Sequence, residues 1–249
     1  MSTISNFRRE EIVKDNKIFS SIRSTIETSF YGNNVVKVNS IKEAYKLAKD
    51  SPGTIVTDMP VYSPEEIGLD SDAKVLLFND GATVGRFAGA RVIIGEPNVD
   101  IKEYELISRE AIYESRYKKL YHSEAIIGLH PDFMIKAHLL IPENFENIMY
   151  SWLLNFQFLS QKYMQMYKDS KQYPEGDLYV FSNPDYLPPS HPNGLALFDP
   201  IHNCAMLLGM RYFGEHKKGT LTLGWSLANR NGFASCHGGM KRYNLENDS

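Results

Sequence analysis

Cysteine is scarce in this chain: Cys204 and Cys236 are the only two, too few for the disulfide framework of a small secreted domain. A reducing compartment follows, and a cytoplasmic protein is the expectation. An excess of one charge is lacking as well. Lys and Arg number 27 against 30 Asp and Glu, a net charge of −3, which leaves no electrostatic footprint for nucleic acid or an anionic membrane. Long apolar runs are also missing. The longest, 148–159, is interrupted by Ser151, Asn155 and Gln157 and is too short to span a bilayer. The opening residues MSTISNFRREEIVKDNK are polar and lack the apolar core of a signal peptide. Repeats and low-complexity segments do not occur.

What the sequence does have is enough apolar content, 43% of 249 residues, for one large domain over 1–249. Its patterning alternates between helical and extended periods. Ile18, Ile22, Ile26 and Phe30 recur at i+4 and predict a helix that stops at Gly32. A strand over 34–38 follows, then Ser40 and Glu43 form a capping box for a helix over 41–49. Further strands are expected at 54–58 and in the two apolar runs of 74–95, whose glycine-rich connection reads as a flexible hairpin with Arg86 solvated or as a loop that approaches a ligand. Helices over 100–121 and 144–167 and strands at 124–128, 133–141, 177–181, 195–198 and 205–210 complete the pattern. The expected class is α/β, a mixed twisted sheet flanked by helices. In the 133–141 strand, Lys136 and His138 share the face opposite Ile135 and Ala137 and point outward or into a cleft, with solvation the expectation.

The chemistry concentrates in 209–239, GMRYFGEHKKGTLTLGWSLANRNGFASCHGG. Its glycines allow close approach of backbone to a ligand. Lys217 and Lys218 are adjacent, and mutual repulsion with partial burial favours loss of one proton, which turns an amine into a metal ligand. Asn231-Gly232 reads as a reversal between an extended run at 220–228 and a returning strand at 233–237. Such a hairpin brings His237 beside Lys218, half of a nitrogen-rich site for a divalent first-row metal. A phosphate-binding loop is excluded: Gly214 to Gly219 match the first six positions, but Thr220 and Leu221 stand where Lys and Ser/Thr are required. A zinc site from His202, Cys204, Cys236 and His237 has the right ligand types without the usual spacing.

Tyr212, Gly214, Glu215, Lys217, Lys218 and Gly219, followed by Ala234-Ser235-Cys236-His237, resemble the Y-x-G-E-x-K-K-G and A-S-M-H patterns of the ATP-dependent phosphoenolpyruvate carboxykinases. The departures are Phe213 in place of a glycine and Gly238-Gly239 in place of Cys-Ser. The resemblance covers 124–240 moderately, 74–100 loosely and the first seventy residues hardly at all. It implies an amino-terminal carboxykinase-like domain, with Lys218 and His237 as ligands of Mn²⁺. Tyr212 and Gly214 are then placed against oxaloacetate or phosphoenolpyruvate, and Lys217 against developing negative charge. Arg86, in Val84-Gly85-Arg86-Phe87, matches the Gly-Arg of the family's T-G-R-S-P-K-D-K-F stretch and is the expected carboxylate holder. ATP is expected only where a further nucleotide-binding domain or a partner chain supplies the phosphate loop, so this chain by itself is expected to bind substrate and metal without turnover. The alternative is a non-enzymatic module for a small carboxylate or other anion.

Overall fold

In the computed structural model, which describes residues 20–78 and 90–238, the first three helices begin where the sequence supplies a side-chain cap. Ser20 accepts the Arg23 N–H at the start of α1 (Ser21–Ser29). After β1 (Val35–Lys37), Ser40 accepts the Glu43 N–H at the start of α2 (Ile41–Asp50), and the Glu43 carboxylate reaches back to the Asn39 N–H. There follow β2 (Thr54–Pro60), a 3₁₀ turn at Pro64–Ile67, β3 (Lys74–Phe78) and β4 (Arg91–Ile93). Asp100 caps α3 (Ile101–Ser115), which leads into the long antiparallel pair β5 (Leu120–His130) and β6 (Phe133–Pro142). The chain continues through α4 (Glu146–Asn155), β7 (Gln157–Phe158), α5 (Gln161–Asp169), β8 (Leu178–Asn183), β9 (Leu195–Asp199), β10 (Cys204–Leu208) and α6 (Phe213–Arg230).

Eight strands make one mixed sheet in the order β1-β5-β6-β8-β10-β9-β4, with β7 beside β5. Strand alternation sends Leu178, Val180, Ala205 and Leu207 to one face and Tyr179, Phe181, Cys204 and Met206 to the other. Both faces are apolar, so both require a helical layer. Trp152 of α4, Leu223 and Leu227 of α6 and Ala44 of α2 cover the first; Ile22 and Ile26 of α1 with Ile107 and Ala111 of α3 cover the second. The expected mixed sheet flanked by helices is therefore present. None of the described helices is long and apolar enough to cross a membrane.

Three expectations need correction. The helix expected over 144–167 is broken after α4, because Phe156 takes an extended backbone (φ −126°, ψ 168°) and Gln157-Phe158 pairs with Ala125 and Ile126 on β5. The two apolar runs of 74–95 do not pair with each other. Instead β3 pairs antiparallel with β2 in a separate two-stranded sheet, while β4 lies parallel to β9 at the edge of the main one. The third concerns 220–237: most of it is helix α6, and 233–237 forms no strand.

Candidate functional site

The helix α6 is built from a pattern that repeats about every four residues. Glu215, His216, Gly219, Thr220, Leu223, Gly224, Leu227 and Ala228 are its buried residues. Two features that read as extended, the threonines and the glycines, have helical explanations. Thr220 and Thr222 donate to the carbonyls of His216 and Lys218, four residues back, and Thr220 also accepts the Trp152 indole N–H at 3.0 Å. At Gly219 a Cβ would stand 2.8 Å from Phe198 Cε1, so glycine lets α6 settle directly on β9. Packing, rather than ligand approach, explains that glycine.

The amino-terminal turns of α6 open onto a cavity of about 420 Å³. Tyr212, Gly214, Lys217 and Lys218 line it on one side, with Asn147 and Ser151 of α4 on the other. Tyr212, the residue before the helix, folds its ring back over the first turn, and only glycine at 214 leaves room: a Cβ there would lie 2.3 Å from the ring. Lys217 and Lys218 are half-buried and line the cavity. The Asn147 Oδ1 is buried with no hydrogen-bond partner, while its amide nitrogen is held by Pro52 O and Thr54 Oγ1. Four of the residues singled out in the sequence thus meet at one cavity.

Arg86 lies in 79–89, outside the described residues. Phe78 before that segment and Arg91 just after it lie at α6 or its cavity. Phe78 lines the cavity, and Arg91 holds the buried Glu215 in a 2.7 Å ion pair. Arg91 was not marked by the sequence pattern, although its place at the end of the glycine-rich stretch made it reachable.

His237 takes a different place. It is exposed and packs its ring against Trp225, centroids 5.7 Å apart, and is not among the residues lining the cavity. Trp225 follows Lys218 by two helical turns, roughly 10 Å of axial rise. The hairpin that would have joined Lys218 to His237 does not form, and nothing in the described geometry frames an ion between them. The cysteine-containing zinc set is dispersed too: Cys204 is in the core on the α1 face, and Cys236 is exposed beyond α6.

A second polar centre lies on the opposite face of the sheet. Strand period two places His122 and Glu124 of β5 on one face, and the β5–β6 register sets Glu124 directly across from His138. His122 Nε2 is 2.9 Å from His138 Nδ1, and His138 Nε2 is 3.0 Å from Asp177 Oδ2. Asp177 also accepts from Tyr167 at 2.9 Å and faces Lys136 Nζ at 3.2 Å, while Lys37 Nζ holds Glu124 Oε2 at 2.9 Å. Lys136 and His138 are 6% and 5% exposed, so the expectation that they are solvated is wrong. Their polar atoms are instead met by neighbours on β5, α5 and the start of β8. Burial, then the His138 charge, lowers the His122 pKa to about 3. Burial pushes Asp177 up, but the His138 hydrogen bond and the Lys136 charge outweigh it and hold the carboxyl at about 2. The sequence signal for this centre was the paired spacing His122-x-Glu124 and Lys136-x-His138 about a short turn. A strand begun at 124 rather than 120 hid its first member.

Comparison with known protein families and with curated proteins finds no match for this chain.

Proposed function

We propose that the cavity at the start of α6 binds a small carboxylate of the oxaloacetate and phosphoenolpyruvate kind, in the manner of a phosphoenolpyruvate carboxykinase amino-terminal domain. The observation that carries this reading is that Tyr212, Gly214, Lys217 and Lys218, chosen on the motif, line one cavity. A helix amino terminus presents unpaired N–H groups and a partial positive charge, which favours an anion there. Two ammonium groups in the next turn add to that field.

In this reading Lys217 and Lys218 offset the charge of a carboxylate and of an enolate forming beside it. The Tyr212 ring closes one side of the cavity against water, and Arg86 is assigned to a carboxylate by resemblance alone. Mn²⁺ held by Lys218 and His237 would supply Lewis-acid polarisation, but the described residues do not bring the two side chains together. ATP belongs to the reaction only with a nucleotide-binding domain or partner chain. The reading therefore concerns binding of the acid, and turnover is a property of a larger assembly.

The test is calorimetric titration of the chain with oxalate and with phosphoenolpyruvate at low ionic strength. Saturable binding is expected, with Lys217→Ala and Lys218→Ala each weakening it about tenfold, or 1.4 kcal/mol. Binding that is absent, or that survives both substitutions unchanged, would sink the proposal.

A further inference from the structure

His122, Glu124 and His138 each direct one ligating atom into a group whose members all lie within 4.8 Å of one another, and no other described His, Cys, Asp or Glu residues form such a group. We propose that these three side chains form a binding site for a divalent first-row metal ion of the zinc or cobalt class, separate from the α6 cavity and open to a ligand of its own.

The donor spacing fits. Two donors bound at about 2.1 Å to one ion stand roughly 3.0 to 3.4 Å apart for angles between right and tetrahedral. His122 Nε2 to His138 Nδ1 is 2.9 Å and His138 Nδ1 to Glu124 Oε1 is 3.5 Å, so only small movements separate this arrangement from coordination. Two imidazoles with one carboxylate select against magnesium and calcium, which prefer oxygen.

The surroundings orient the ligands as metal sites require. His138 turns its far nitrogen, Nε2, to the Asp177 carboxylate, the carboxylate–histidine arrangement that fixes a ligating imidazole and raises its basicity. In the tautomer that Asp177 favours, His138 Nδ1 presents a lone pair to the group. Tyr179 stacks flat on the same ring at 4.5 Å with an interplanar angle of 4°, and Phe30 sets its edge against both histidines. Lys37 holds the second oxygen of Glu124 at 2.9 Å, while Oε1, with Lys136 Nζ farther off at 4.0 Å, faces His138 Nδ1 as the monodentate ligand. Before metal enters, the His122 Nε2 proton fills the gap as a hydrogen bond to His138. Metal entry moves that proton to His122 Nδ1, so the imidazole stays neutral and no net proton is released by it.

The same group lines a cavity of about 500 Å³, together with Tyr167, Lys168 and Met164 of α5. Three protein donors leave at least one coordination position, and that position faces this space. Charge points the same way. Glu124 and Asp177 are matched by Lys37 and Lys136, so a dication is best accommodated together with hydroxide or a small anionic ligand in the cavity, where Lys37 and Lys168 attract it.

The experiment titrates the chelator-treated full chain with Co²⁺, read by its ligand-field absorption, and then displaces the ion with Zn²⁺. One Co²⁺ per chain is expected. Asp177→Asn should weaken binding by about ten- to hundredfold as an outer-sphere partner, and His122→Ala and Glu124→Gln by more. Circular dichroism confirms folding of each variant. Should the variants not fold, nitrogen NMR of the unmodified chain decides: Zn²⁺ must shift the imidazole signals of His122 and His138 ahead of the other histidines. Absence of saturable binding by the folded chain overturns the proposal. So does binding that is untouched by Glu124→Gln and His122→Ala, or lost instead in a Lys218→Ala, His237→Ala double variant.

Discussion

Acid should destabilise this protein well before its carboxylates protonate, and His216 is the residue through which to measure it. Its imidazole is fully buried, with Nε2 2.8 Å from Ser182 Oγ and Nδ1 3.2 Å from the Tyr212 carbonyl. Burial lowers its pKa from 6.5 to about 4. A histidine whose folded pKa is depressed binds fewer protons when folded than when unfolded, so its stabilisation is complete above 6.5 and is lost as pH falls towards 4. Each pH unit in that window costs about 1.4 kcal/mol, or roughly 2 kcal/mol by about pH 5. His122, lowered to about 3, adds a loss of the same sign over a window that begins at the same point. Asp177, held at about 2, and Glu124, also lowered, lose their contribution only as pH falls further, so they do not obscure the upper part of the window. Urea unfolding followed by circular dichroism at steps between about pH 7.5 and 5 measures the slope. His216→Gln retains a hydrogen-bonding amide near Ser182 and should remove about half the slope. A stability that is flat across the window, or a slope unchanged by His216→Gln, would show that His216 is not held neutral by burial.

Gly214→Ala puts a methyl group 2.3 Å from the Tyr212 ring, which can swing away because it is the free end of its side chain. Calorimetry should show about tenfold weaker oxalate binding, with a change in unfolding free energy within about 1 kcal/mol. Gly219→Ala forces a Cβ to 2.8 Å from the buried Phe198 ring, and thermal unfolding should show a loss of about 1 to 3 kcal/mol in spite of better helix propensity. Trp152→Phe removes the donor to Thr220 from a fully buried site and should cost roughly 1 to 3 kcal/mol in denaturant unfolding.

How far the sequence could be read depended on whether a segment's structure is decided locally. The strands β6, β8, β9 and β10 were legible because apolar residues on both faces leave few alternatives. The Ser40 cap was legible because its partner is three residues away. The break at Phe156 was not, since it depends on pairing of Gln157-Phe158 with β5, more than thirty residues earlier. The reading of α6 failed for a related reason. Glycines at 214, 219 and 224 and threonines at 220 and 222 lower helix propensity, and the burial that outweighs them comes from Phe198, Trp152 and Ile127 on distant elements.

The candidate sites divide the same way. Tyr212, Gly214, Lys217 and Lys218 fall within two helical turns, so the motif carried their convergence. His122, Glu124 and His138 come together through the β5–β6 register, which the short turn between His130 and Phe133 sets, and a strand begun at 124 left His122 out of it. His237 was placed by a hairpin that does not exist.

Amide NMR of the full chain titrated with oxalate tests anion binding at the α6 cavity most directly. Gly214, Lys217 and Lys218, with Asn147 and Ser151 across the cavity, should shift together along one saturable curve, and Lys218→Ala should weaken that curve. Shifts confined to residues around His122 and His138 would contradict it, as would a chain whose spectrum oxalate leaves unchanged.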